Sequence, residues 1–327
     1  MPVSRLIPAA AIRAHSRAIQ PGPGAVRLCL QAFRQIVAER RSLRPAVRFV
    51  ARAVAHPGPT LRLLYYFARQ PAGVLPRSVF VDSVLKIGRE HVRRGLGASG
   101  RADMLIAHHA ALRRVMSEAA LSRYLRHEAI CLARLEGREP GEAFEVRMFQ
   151  TPFGYRREGE ATLSLVASAS GARLADLTFA VAGGSDGGLC LRIGGIQGPP
   201  PPHGKDAVKA ATKALDGLRP KTVVMEVVCE LGRLFGVGAV FATALSHHVL
   251  LDKKGRMMHA APYDGFWEEL GGIRLLDGDF ALPLTPPHRD PAEVPAKRRR
   301  EWERRQQRIA TLAGDVRAAM QALRDQT

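Results

Sequence analysis

Apolar positions in the first third of the chain recur at helical spacing. Val26, Leu30, Phe33 and Val37 step by four, three and four residues, as one face of an α-helix requires. Val47, Val50 and Val54 repeat the pattern with Arg48 and Arg52 off that face, and Met104, His108, Ala111 and Val115 repeat it again. Pro- and Gly-containing breaks at 21–24, 56–59 and 71–73 separate these segments. The pattern predicts short, interrupted amphipathic helices.

From about residue 130 the period changes. Alternating or β-rich stretches at 130–136, 144–149, 162–167, 174–181 and 189–196 read as strands, the last two joined by a Gly-rich turn as a hairpin. Two helices follow. One carries Val208, Ala211, Leu215 and Leu218; the other carries Val224, Val227, Val228, Leu231 and Phe235 after Pro220, a favourable first helical residue. A strand at 239–244, a short helix at 263–270, a strand near 279–284 and a long basic helix over 296–323 complete the chain. The fold class expected is α+β: a basic helical region over 1–127, then 128–327 as a mostly antiparallel sheet with a strand–helix–helix–strand unit and a C-terminal helix.

Charge sharpens that division. The 327 residues carry a formal net charge of +19. Through Arg126 there are 22 Lys and Arg against five Asp and Glu, a net of +17, and the remainder carries +2. The second region is expected to stand alone, and the first to meet an anionic partner. An anionic membrane surface suits short amphipathic Arg-rich helices, where each nearby Arg contributes about 1 kcal/mol. A solvated Arg face on a helical cap is the plainer alternative, and part of the arginine excess fits a GC-rich genome. Nucleic acid is third, because stacking aromatics are few, mainly Tyr65, Tyr66 and Phe67. Cys29, Cys131, Cys190 and Cys229 form no CxxC pair, so neither a zinc site nor a disulfide scaffold is expected, and no metal. No apolar run approaches the ~18 residues of a spanning helix. Arg13 and Arg17 cut the N-terminal apolar stretch, so the expected location is cytoplasmic, peripheral at the inner membrane.

Five stretches could carry chemistry. At 193–212 a strand ends near Gly194 and Gly195, a loop follows, and a helix begins near Lys205. This is either a phosphate cradle of Gly194, Gly195, Gln197, Gly198 and Lys205 or a Pro-rich connection. It matches neither a Walker loop nor a dinucleotide fingerprint. Alternation in RREGE, 156–160, places Glu158 and Glu160 on one face, as a general base pair or as an ordinary charged strand start. His248, after a strand, is a candidate base; no nucleophile motif accompanies it, so a hydrolase triad is unsupported. Tyr263 and Trp267 sit in YDGFWEELGG, a packed cap or the lip of a ligand site. Arg298 and Arg305 belong to KRRREWERR, a solvated helix face or a phosphate contact.

Seven words in order give the chain a resemblance to the VirK/YbjX family of bacterial proteins: RREGEATLSL (156–165), LRIGGIQGP (191–199), ATKALDGLRPK (211–221), SHHV (246–249), YDGFWEELGG (263–272), FALPL (280–284) and AKRRREWERR (296–305). It covers roughly 100–325 and is weakest in the first hundred residues. The resemblance implies a role in virulence, outer-membrane remodelling and resistance to antimicrobial peptides, and no defined reaction. The element order also resembles the N-acetyltransferase superfamily, where the loop after the fourth strand holds the pyrophosphate of acyl-CoA; that position falls on 197–205 here. Two helices rather than one separate the strands. Two function classes follow: a non-enzymatic accessory protein on an anionic membrane or envelope component, from the +17 N-terminal region and the lack of a catalytic motif, or an acyl- or aminoacyl-transferase of an envelope component with acyl-CoA as cofactor, from the strand–loop–helix cradle with Glu158, Glu160 and His248 as polar candidates.

Overall fold

The computed structural model describes residues 23–71, 73–152, 155–184, 187–199, 204–251, 263–288 and 290–326. The five alternating stretches become β1 (Ile130–Glu136), β2 (Ala143–Gln150), β3 (Ala161–Ala167), β4 (Arg173–Gly183) and β5 (Leu189–Gln197). With β6 (Val237–Ala242), β7 (Ile273–Arg274) and β8 (Phe280–Leu282) they form one sheet of order β1-β2-β3-β4-β5-β6-β8-β7. Neighbouring strands are antiparallel throughout except β5 with β6. β7 is too short to show a pattern in the sequence and was not expected.

A parallel pair needs a long crossover. It is supplied by α7 (Gly204–Ala214) and α8 (Pro220–Phe235). Pro220 opens α8, and Gly236 closes it at φ 72°, the left-handed conformation glycine adopts freely. The remaining helices are α1 (Pro23–Arg40), α2 (Leu43–Ala55), α3 (Pro57–Ala68), α4 (Arg77–Lys86), α5 (Ala98–Val115), α6 (Glu118–Leu125), α9 (Tyr263–Glu269) and α10 (Arg299–Asp325).

The main core joins Leu163, Leu177, Phe179 and Ile193 of the sheet to Val224 and Val228 of α8 and Val316 and Met320 of α10. Leu112, Leu121 and Tyr124 of α5 and α6 belong to the same cluster. The expected division at 127/128 therefore runs through a shared core. A second cluster, including Ile36, Phe49, Leu63, Phe67 and Leu105, holds α1 to α5 together.

Much of the C-terminal arginine is already spent inside the fold. Asp216, buried in the α7–α8 turn, accepts from Arg138 (2.9 Å), Arg304 (3.1 Å) and Arg308 (2.7 Å). Burial opposes the charge, yet Arg308 and Arg138 hold the carboxyl below its usual range. Through Arg304 and Arg305, KRRREWERR is thus in part a clamp on the α7–α8 turn rather than a free basic face.

The N-terminal helices depart from the sequence reading in one respect. On α1 the buried residues are Ala25, Ala32 and Ile36, while Val26 and Leu30 are 61% and 54% exposed. On α2 Ala46 and Phe49 are buried, while Leu43, Val47, Val50 and Val54 are 62%, 58%, 43% and 77% exposed. The most regular apolar stripes face outward, because small alanines let the helices pack closely on their other faces.

Candidate functional site

The parallel pair parts at a defined point. Its register ends at Ile193 opposite Ala242, with one further bond from the Thr243 N–H to the Ile193 carbonyl (2.9 Å). On the other side of β5 the register slips between Thr178 and Phe179, whose partners are Gly195 and Ile193. Gly194 is the extra residue of this bulge, a distortion that re-aims side chains. Beyond it β5 continues to Gln197, while β6 gives way to the turn Leu245–His247.

The segment carrying Glu158 lies against this point. Its N–H bonds to the Tyr155 carbonyl (2.8 Å). The Glu158 carbonyl occupies the space a Cβ on Gly194 would need, and its carboxyl occupies that of Gly195. The close approach explains both glycines. Gln197 Nε2 donates to both carboxyl oxygens of Glu158 at 3.1 Å, and His248 Nε2 lies 3.9 Å from Oε2. Glu158 and His248 are both buried. Burial pushes the Glu158 carboxyl up to about 8, with Asp176 adding and Gln197 opposing. Burial, with Arg157 and Arg94, pushes the His248 imidazole down to about 4. Near neutrality the pair is a protonated acid beside a neutral imidazole.

This corrects two expectations. Gly194 and Gly195 are strand residues filled by Glu158, so they form no open phosphate cradle. Glu158 and Glu160 do not share a strand face either, since β3 begins only at Ala161. Glu160 instead meets Lys86 Nζ (2.6 Å) and His91 Nε2 (2.5 Å), all three buried. Burial opposes the Glu160 charge, yet Lys86 and His91 hold its carboxyl far below the usual range. A carboxylate so deeply paired is a structural acid, not a base. Nearby, His108 Nδ1 accepts from the Val181 N–H (3.2 Å), on the stretch of β4 that runs past the first residue of β3. Burial lowers His108 to about 3, which keeps that nitrogen an acceptor.

The other candidate residues scatter. Lys205 is exposed in the first turn of α7, and a Cβ on Gly198 would meet nothing within 4 Å. Residues 200–203, between them, lie outside the described residues, as does the Tyr263 side chain. Trp267 is fully buried and donates to the Thr243 carbonyl (3.2 Å), so it is a core anchor rather than a ligand contact. Arg298 and Arg305 line a cleft of about 710 Å³ with Arg219, Phe266 and Trp302, far along the chain from Glu158. Three of the resembling words, 211–221, 263–272 and 296–305, converge on that cleft.

The sequence reading singled out Gln197 and His248, which meet Glu158, but missed Lys86, His91 and His108, because they come from a region read separately. It also missed the α2 arginines as a group, although Arg44, Arg48 and Arg52 recur every fourth residue, a signal that was legible.

The profile of a family described as "Protein of unknown function (DUF535)" matches residues 38–318. The chain belongs to this VirK/YbjX family. The "Uncharacterized protein YbjX" of Escherichia coli (strain K12) is 30% identical over 226 residues, which is 68% of this chain and 67% of that protein. No solved structure matches. The DUF535 match begins inside α1, so it takes in most of the N-terminal helices that looked least like the family in sequence.

The VirK/YbjX-family chain has a pH signature at Glu158. Its folded value of about 8 lies above the ordinary 4.5, so its stabilising contribution is complete below about 4.5 and is lost as pH rises to about 8. His248 acts in the opposite sense, losing stability as pH falls from 6.5 to about 4. Glu158→Gln should flatten the decline between about 4.5 and 8, of order 2–5 kcal/mol, in denaturant titrations at stepped pH. An unchanged slope would place that decline elsewhere.

Proposed function

We propose that this DUF535-family chain is a non-enzymatic accessory protein of the bacterial envelope that binds an anionic membrane surface through α1 and α2. Through that contact it takes part in envelope remodelling, virulence and resistance to antimicrobial peptides. The observation that carries the reading is the outward apolar stripe of Leu43, Val47, Val50 and Val54 beside Val26 and Leu30. An apolar groove of about 470 Å³ runs between them, lined by Phe33, Phe49 and Ala53 among others. Arg44 and Arg48 lie about a quarter to a third of a turn round α2 from the stripe, where their heads reach the headgroup level as the valines enter the acyl boundary. No helix among the described residues is long and apolar enough to cross a membrane, so the attachment is peripheral. Flotation with anionic and neutral vesicles tests this: binding to anionic vesicles alone, abolished by salt, is expected, and indifference to lipid charge contradicts it. Residues 1–22 or a second copy are the other occupants of the groove. A chain beginning at residue 23 that alone binds lipid, or a dimer that binds none, would reveal them.

One observation favours a second reading, an acyl- or aminoacyl-transferase with acyl-CoA as donor. The parallel pair that parts at a bulge, with Glu158 and His248 at the parting, resembles the N-acetyltransferase arrangement in strand order. The neutral imidazole of His248 would then take the proton of the attacking amine or hydroxyl, with the protonated Glu158 beside it. Isothermal titration with acyl-CoA species decides: binding supports it, and no heat at millimolar ligand removes it.

A further inference from the structure

Beside the apolar stripe, five arginines surround one cavity. Arg40, Arg44, Arg48, Arg52 and Arg89 line a space of about 430 Å³ together with Ser42 and Pro45, within the range of small-ligand sites. Arg40 is paired with Asp82, which also pairs with Arg156 (2.9 Å). Among the described residues, Arg44, Arg48 and Arg52 have no carboxylate partner. Like charges so gathered repel, and the Arg89 guanidinium is lowered by burial, with Asp82 opposing and Arg52 and Arg40 adding. The amino end of α2 opens on the same cavity. Ser42 makes no side-chain cap there, and the first turn holds no acid. A folded protein keeps such a cluster stable when an anion sits in it.

We propose that this cavity binds the phosphomonoester headgroup of a membrane lipid. Guanidinium forks match phosphate oxygens two at a time, and a dianionic monoester meets more of them than a monoanionic diester does. The uncapped N–H groups of α2 add dipoles of the same sign. The apolar stripe on the same helix sets the source. A headgroup held by Arg44 and Arg48 comes from a lipid whose acyl chains adjoin Val47 and Val50, whereas a free phosphate leaves those valines in water. The proposal rests on the membrane reading above and adds selectivity to it.

The test compares vesicles matched in surface charge, with phosphatidic acid or phosphatidylglycerol as the anionic component. Full-length protein should bind the phosphatidic acid vesicles about tenfold more tightly. Arg44→Gln with Arg48→Gln should erase that preference. A control losing the same charge on α1, Arg27→Gln with Arg34→Gln, should weaken both bindings and keep the ratio. Circular dichroism of each variant confirms the fold; these side chains are exposed, so helix content should not change. Inorganic phosphate should compete only weakly. Equal binding of wild type to both vesicles overturns the headgroup site and leaves the membrane reading standing. Binding to neither overturns both. Inorganic phosphate displacing the protein from vesicles at micromolar concentration points to a soluble anion and overturns the lipid source. A preference that survives in the α2 variant places the site elsewhere.

Discussion

Residues 128–327 expressed alone should not fold, despite their near-neutral charge. The missing region supplies Leu112, Met116, Leu121, Tyr124 and Leu125 to the main core. At roughly 1.5–3 kcal/mol for each large side chain, their loss removes on the order of 10 kcal/mol, about the whole stability of an ordinary domain. Polar debts add to this. Glu160 would lose Lys86 and His91, leaving an unpaired acid, and the Val181 N–H would lose its acceptor on His108. The connecting strap is tied as well: the Val92 N–H bonds to the Arg157 carbonyl (2.6 Å) and the Arg94 N–H to the His247 carbonyl (2.8 Å). Circular dichroism melts and amide proton spectra of the fragment should show no cooperative transition and collapsed dispersion. A cooperative melt near that of the full chain would mean the two regions are separable after all.

Gly194→Val should be the most damaging single substitution near the candidate site. Its Cβ would fall on the Glu158 carbonyl oxygen, a backbone atom held by the segment's own hydrogen bonds. Something in β5 or the 158–160 segment must shift, and Gly159 leaves little room, since a Cβ there would lie 2.7 Å from the Phe179 carbonyl oxygen. A cost of about 3–5 kcal/mol follows, or roughly a 10 °C fall in Tm. Gly195→Ala should cost less, because it meets the end of the Glu158 side chain, which can swing. Gly198→Ala, with nothing within 4 Å, should be neutral. Thermal melts of the three variants give that order. A Gly194→Val protein as stable as wild type would show that Glu158 does not pack as described.

The strands were legible as short alternating or β-rich runs bounded by turn residues, although β3 and β4 are buried on both faces, and β1 to β5 fall within two residues of their expected bounds. Periodicity could not say which neighbour a stripe faces. Val47, Val50 and Val54 are as regular as any core helix, yet their helix packs through Ala46 and Phe49. Alanine carries too little hydrophobic signal to announce a packing face. The site was half legible for a similar reason. Glu158, His248, Gly194 and Gly195 were singled out singly and do meet, because each stands in an unusual word. Their geometry was not readable, since a bulge at Gly194 changes which residues oppose one another and pattern rules assume none. Glu160 was paired with Glu158 by alternation, a rule that applies only inside a strand. Its true partners lie 74 and 69 residues earlier, beyond any local period.

The central claim is that the exposed face of α1 and α2 enters an anionic membrane surface. Flotation of full-length protein and of a Val47→Ser, Val50→Ser, Val54→Ser variant on the same anionic vesicles tests it most directly. These valines are 58%, 43% and 77% exposed, so the fold should be untouched. At about 1 kcal/mol for each buried valine, the variant should bind at least ~10-fold more weakly at low salt while its arginines remain in place. Equal flotation of the two proteins would contradict the claim and leave only nonspecific attraction between arginine and lipid.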